Sequence, residues 1–208
     1  VAVTVKICGI TNVEDALVAV DAGANALGFV FYASSPRAVG VDQAASICRE
    51  IPPHVARVGV FVNPDEALVQ RALVSCGLSI LQWHGEETPE FCLQFGIMSM
   101  KAFRLKDAAA LEAISTYRTN AILLDAYNPG IRGGTGEICD WQLALEAKKF
   151  GRPIFLAGGL TPENVGTAIE QVRPYGVDVS SGVEAVPGRK DHDKVRRFIT
   201  AAKAIVTE

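Results

Sequence analysis

The chain has 208 residues, a formal net charge of −3 and 49% hydrophobic residues. That length suits one domain with a large core, the mild acidity gives no electrostatic reason to expect nucleic acid, and no apolar run approaches the roughly 18 residues a membrane helix needs. The five cysteines, Cys8, Cys48, Cys76, Cys92 and Cys139, form no C-x-x-C pair and are odd in number, which fits free thiols in a reducing cytoplasm, and the N-terminus shows no basic region followed by an apolar leader.

Short apolar, β-branched runs recur from end to end, at 3–8, 26–31, 55–62, 78–83, 98–103, 121–124, 153–156 and 176–179. Their near-continuous apolar character suits parallel strands buried on both faces. Segments of helical period lie between them. Val13, Ala16, Leu17 and Val20 share one face, as do Leu68, Val69, Ala72 and Leu73, then Val165, Ala168, Ile169 and Val172, and last Val195, Phe198, Ile199, Ala202, Ile205 and Val206. Thr11-Asn12-Val13-Glu14 reads as a capping box. Asn63-Pro64-Asp65, Thr88-Pro89-Glu90 and Thr161-Pro162-Glu163 each place a capping side chain before a proline and an acid, and Asp107 and Asp140 are further caps. Cys48, Cys76 and Cys92 fall in helical segments as packing residues, and Trp141 is a packing residue of the same kind.

Repetition of this βα unit predicts a single-domain (β/α)8 TIM barrel over residues 1–208. An open doubly wound sheet is the alternative, but no strand reads as a polar edge. In a barrel, active sites occupy the C-terminal ends of the strands. Those ends carry Cys8-Gly9, then Ser34-Ser35-Pro36-Arg37, Asn63, Gln82 with His84 and Gly85, Arg104, Asp125, Gly158-Gly159, and Asp178 with Ser180, Ser181 and Gly182. The longest intervals follow the second and sixth strands, which suits loops built for binding. LAGGL after the seventh strand and SSG after the eighth are either a phosphate cradle of backbone amides or two tight turns. Asp125 follows four apolar residues, so it is either a buried carboxyl suited to general-acid work or a turn-starting aspartate. Cys8 at the same end supplies a base across the mouth. Gly133-Gly134-Thr135-Gly136 is either a closing segment or a linker.

The ordered set KICGIT, SPR, VGVFVN, QWHG, LLDA, GGTG…DW, LAGGL and GVDVSSGVE resembles the phosphoribosylanthranilate isomerase family over almost the whole chain. The resemblance implies an intramolecular oxidoreductase of tryptophan biosynthesis, without metal or organic cofactor. It implies Cys8 as general base, Asp125 as general acid, Arg37 at the anthranilate carboxylate, Asp178 near the ribose hydroxyls, and Gly158, Gly159, Ser181 and Gly182 around the phosphate. His84 is expected only to line the site. A free thiol is about 3% ionised at pH 7, and the sequence points to Arg37 or helix N-termini as the positive potential that lowers its pKa. The chain departs from the family pattern at Trp83, where a smaller aliphatic residue is usual, at Cys139, where an aromatic precedes Asp140-Trp141, and at Ala38, where a tyrosine follows the arginine. The alternatives are a histidine-pathway or bifunctional aminoaldose isomerase, a lyase or synthase of the tryptophan pathway, for which Lys101 is the lone strand-interior lysine outside KICGIT, and a non-catalytic phosphometabolite-binding barrel. The expected partner is the small-molecule substrate, with no nucleic acid and no membrane. Monomer and homodimer remain equally open.

Overall fold

The computed structural model describes residues 2–104, 108–125 and 141–205. Among these residues eight parallel strands pair in chain order: β1 (Thr4–Cys8), β2 (Ala26–Val30), β3 (Ala56–Phe61), β4 (Ile80–Trp83), β5 (Met98–Arg104), β6 (Ala121–Asp125), β7 (Ile154–Ala157) and β8 (Gly176–Val179). β8 then returns to pair with β1, from Thr4 opposite Gly176 to Ile7 opposite Val179. The sheet is therefore a closed (β/α)8 barrel with no edge strand, and the open doubly wound alternative is excluded. The strands fall on the apolar runs and differ only at their ends, β5 and β6 each continuing through one polar residue, Arg104 and Asp125.

The helices are α1 (Val13–Asp21), α2 (Val41–Glu50), α3 (Glu66–Cys76), α4 (Pro89–Leu93), α5 (Ala108–Ile114), α6 (Trp141–Ala147), α7 (Val165–Val172) and α8 (His192–Ala204). A short antiparallel pair, β9 (Glu184–Val186) and β10 (Arg189–Lys190), stands between β8 and α8.

Because side chains alternate along a strand, each strand serves two cores. One set, including Ile7, Leu27, Phe29, Phe61, Trp83, Leu124, Leu156 and Val177, packs outward against the helices. The other set, Ala26, Val58, Met100, Leu123, Phe155 and Ala157, fills the barrel interior. Burying one large apolar side chain stabilises the fold by roughly 1.5–3 kcal/mol, so a one-residue register slip would exchange the two cores and is strongly disfavoured. Trp83 belongs to the outer set. It is fully enclosed, donates Nε1–H to the Cys92 carbonyl at 3.2 Å, and packs on Phe61, Phe91 and Phe95. The departure at this position is thus absorbed between barrel and helix. Cys48, Cys76 and Cys92 are likewise buried, and Trp141 packs against the outer core.

Several local expectations shift by a residue or more. The cap of α1 is Asn12, which accepts from the Asp15 amide at 2.8 Å and donates to its carboxylate at 2.7 Å. Thr11 instead donates to the Gly188 carbonyl. The buried face of α1 is Asp15, Ala16 and Ala19, with Leu17 exposed, because Asp15 is drawn inward by the Lys190 amide and His192. α3 is capped by Asp65 rather than Asn63, since Asn63 accepts from the Glu86 amide across the neighbouring loop. Thr161-Pro162-Glu163 forms a turn before α7, which starts after Asn164. Thr88 does cap α4, with Pro89 in its first turn. The expected apolar face of α7 is buried throughout, whereas on α3 Val69 and Ala72 are buried with Leu68 and Leu73 half-buried, and on α8 Val195, Phe198, Ile199 and Ala202 are buried with Ile205 half-buried behind them. Asp107, Asp140, Cys139, Val206 and the segment from Asn128 to Gly136 lie outside the described residues.

Candidate active site

The inward phases of the strands end at the C-terminal rim in Cys8, Gln82, Arg104, Asp125, Ala157 and Asp178, with Val30 and Val60 as the apolar exceptions, and these ends line a cavity of about 620 Å³, a size ordinary for a small-molecule site. Cys8, Arg37, His84, Asp125, Gly158, Gly159, Asp178, Ser181 and Gly182 all lie on its wall. The sequence-derived set is thus brought together around one space. Tyr32, Gln82 and Arg104 also face it.

Cys8 is the last residue of β1, points inward, and is 8% exposed. Burial pushes its thiol above the ordinary range, and Lys6 is the strongest opposing influence. Lys6 sits two residues earlier on the same inward face, fully buried, with Nζ 2.8 Å from Asp178 Oδ1. The positive potential at the thiol therefore comes first from Lys6, with Lys190 behind it, rather than from Arg37 or a helix end, and burial outweighs it. The inward spacing of Lys6 and Cys8 was readable in KICGIT. That a lysine would fill the barrel interior was not, because strand lysines are usually exposed.

Gly9 answers a close approach. Its φ is +78°, and a Cβ there would lie 2.7 Å from Arg37 Cδ. The Arg37 side chain thus crosses the backbone just beyond the cysteine. Its Nε and Nη2 donate to the two oxygens of Glu184 at 2.7 and 2.6 Å. That fork occupies the Nε and Nη2 edge of the guanidinium. Glu184 also meets Lys190 Nζ at 3.1 Å. Burial works to raise the Glu184 carboxyl, but Arg37 and Lys190 outweigh it and hold the group below the usual range. Glu184 closes the GVDVSSGVE motif, but its pairing with Arg37 could not be read there, because the partner is 147 positions away.

Across the mouth, His84 Nδ1 lies 3.0 Å from Gln82 Nε2 and His84 Nε2 lies 4.0 Å from Asp125 Oδ2. Burial holds the imidazole below its ordinary pKa, against the pull of Asp125, so the ring is neutral at pH 7. The Gln82 side-chain amide thus holds the Nδ1 edge of the ring, and Nε2 is the nitrogen on the Asp125 side. The Asp125 side chain is 23% exposed, less enclosed than the preceding apolar run implies.

Gly158 and Gly159 adopt φ of +86° and +67°, which opens the turn after β7. Gly182, in the turn after β8, lies so close to the turn after β7 that any Cβ would overlap the Leu160 carbonyl. The two backbones thus meet at one corner of the cavity. Lys101 faces away from the cavity, donating to the Gly85 carbonyl at 2.6 Å and pairing with Glu87 at 3.2 Å. Its role is to tie down the β4–α4 loop, which removes the lysine on which a lyase or synthase reading depended. Among the described residues no group of three or more His, Cys, Asp or Glu is arranged to hold a metal ion, and no helix is long and apolar enough to cross a membrane.

The architecture and this rim recur in known proteins. The family model described as N-(5′phosphoribosyl)anthranilate (PRA) isomerase matches residues 5–201. The protein of that name from Pelobacter propionicus is 53% identical over 206 residues, 99% of this chain and 98% of that one. The crystal structure of phosphoribosyl anthranilate isomerase from Thermotoga maritima superposes with a TM-score of 0.91 at 47% identity, covering 98% of this chain and all of that one. A phosphoribosyl anthranilate isomerase solved in complex with reduced 1-(o-carboxyphenylamino)-1-deoxyribulose 5-phosphate matches with a TM-score of 0.88 at 45% identity, over 98% and 100% of the two chains. A barrel closed in this order, this grouping of rim residues and identity along nearly the full length agree, and the chain belongs to the N-(5′-phosphoribosyl)anthranilate isomerase family.

Proposed function

We infer that the chain, acting as one barrel domain in the cytoplasm and without metal or organic cofactor, isomerises N-(5′-phosphoribosyl)anthranilate to 1-(2-carboxyphenylamino)-1-deoxyribulose 5-phosphate in tryptophan biosynthesis, with Cys8 as general base and Asp125 as general acid. The observation that carries this reading is the shared cavity, in which Cys8, Asp125 and the Gly158-Gly159 and Ser181-Gly182 turns all face one space. A structural relative holds the reduced product analogue in the corresponding fold.

The chemistry follows from the residue types. The phosphate anchors at the two glycine-containing turns, through backbone amides that a closer side chain would block. The anthranilate carboxylate meets Arg37 on the edge that Glu184 leaves open. Asp125 protonates the ribose ring oxygen and the furanose opens to an iminium at C1′. His84, with Nε2 4.0 Å from that carboxyl, lines the cavity beside it. The iminium acidifies the C2′ proton, which the Cys8 thiolate removes to give the enolamine, and protonation at C1′ with loss of the C2′ hydroxyl proton yields the ketone. Asp178 accepts from the ribose hydroxyls with its second oxygen while Lys6 holds the first. Gln82 Oε1 and Ser180 Oγ are buried and have no hydrogen-bond partner among the described residues. Both belong to residues that line the cavity, where ligand hydroxyls would complete them.

The test follows the loss of fluorescence of the anthranilate substrate in purified, folded variants. Cys8→Ala and Asp125→Ala should each lower kcat by at least ~10², the usual contribution of one acid or base. A near-parental kcat in either variant removes that residue from the mechanism.

A further inference from the structure

Lys6 stands out as a charged group that the reaction scheme does not require as acid or base. It is fully buried at the centre of the barrel, where desolvating an ammonium costs several kcal/mol. An apolar pair would fill that layer without desolvating two charges. The strand registers show what surrounds it. Lys6 lies opposite Asp178 on β8, and Cys8, two residues along the same inward face, lies opposite Gly28 on β2. A Cβ at Gly28 would sit 2.8 Å from Cys8 Sγ and 3.1 Å from Lys6 Nζ. The sulfur and the ammonium therefore share the pocket that the missing side chain leaves.

We propose that Lys6 is a positioning residue that stabilises the Cys8 thiolate, with Gly28 providing the space in which sulfur and ammonium lie together. This rests on the reading of Cys8 as the base. Asp178 keeps one oxygen on Lys6 at 2.8 Å, which fixes the direction of the ammonium and keeps it charged: burial works to lower the Lys6 pKa, and Asp178 and Cys8 more than offset it. The charged groups acting on the sulfur are Lys6 from β1, Asp178 from β8 and Lys190 from β10, with Arg37 of the β2–α2 loop also coupled to it. Lys6 is the strongest of these at the thiol. Both atoms lie near one point, which puts them within about 6 Å of each other, and a unit charge at that range shifts the thiol–thiolate balance on the order of a hundredfold.

The experiment uses Lys6→Met and follows iodoacetamide alkylation of the Cys8-containing peptide by mass spectrometry as a function of pH, alongside kcat and KM. Alkylation at fixed pH below the midpoint should slow on the order of a hundredfold, the midpoint should move to higher pH, and kcat should fall with KM nearly constant. An alkylation rate within about threefold of the parent overturns the proposal. If Lys6→Met does not fold, Lys6→Gln with Asp178→Asn removes both charges together and keeps a hydrogen-bonding pair. The midpoint should still rise, because Lys6 outweighs Asp178 at the sulfur, and an unchanged or lower midpoint overturns the proposal. Alkylation needs no substrate, so it decides the role of Lys6 at the sulfur even if Cys8→Ala retains turnover and the base assignment fails.

Discussion

Replacing Glu184 by glutamine tests the cation clamp that orients Arg37. The carboxylate is 8% exposed, takes two bonds from Arg37 at 2.6–2.7 Å, one from Lys190 at 3.1 Å and one from the Gly188 amide at 3.3 Å. An amide of the same shape offers one acceptor oxygen, no charge, and an NH2 that must face a cation. Breaking a buried pair by removing one partner costs about 3–5 kcal/mol. The Arg37 side chain is 23% exposed, so water relieves part of the loss and the expected cost is about 3 kcal/mol. For a chain of this size that lowers Tm by roughly 6–12 °C. KM for the substrate should rise about tenfold, because a bond to a charged group contributes ~1.5–3 kcal/mol and Arg37 loses the partner that aims it. The pH dependence has a definite sign. Glu184 is held below its ordinary pKa in the folded chain, so its contribution is complete above about pH 4.3 and disappears as the pH falls through the lower folded value. Denaturant melts at pH 7 and in acid, with KM measured at pH 7, give the answer. A gap of under ~1 kcal/mol from the parent at pH 7, or one that widens toward acid, would refute the reasoning.

Three further expectations are independent of that clamp. Trp83→Ala should cost about 3–5 kcal/mol by denaturant unfolding, because it empties the space between Phe61, Phe91 and Phe95, while kcat of the folded fraction stays near parental. Gly182→Ala forces the β7 and β8 turns apart at the Leu160 carbonyl; inorganic phosphate should inhibit it less strongly than the parent, and equal inhibition would count against the phosphate assignment. The His84 imidazole, held low by burial, should titrate below about pH 6.5 in an NMR experiment, with the neutral form dominant at pH 7.

Sequence alone determined the alternation of buried strands and amphipathic helices, because apolar period is a local property, and it placed Cys8, Asp125 and the glycine turns at strand ends by simple counting. Their membership of one cavity needed closure of β8 onto β1, since only a ring brings residues 8 and 125 to a common mouth. The same closure decided what no local pattern carries. Asn12 rather than Thr11 caps α1 because Gly188 claims Thr11, and Arg37 is forked by Glu184 because β9 lies beside the β2–α2 loop. The charge acting most strongly on the thiol is Lys6, a residue type that strands usually send to solvent. Pairings across 147 to 177 positions depend on backbone packing that brings distant segments into contact, and burial there sets the energies that fix side-chain direction and pKa.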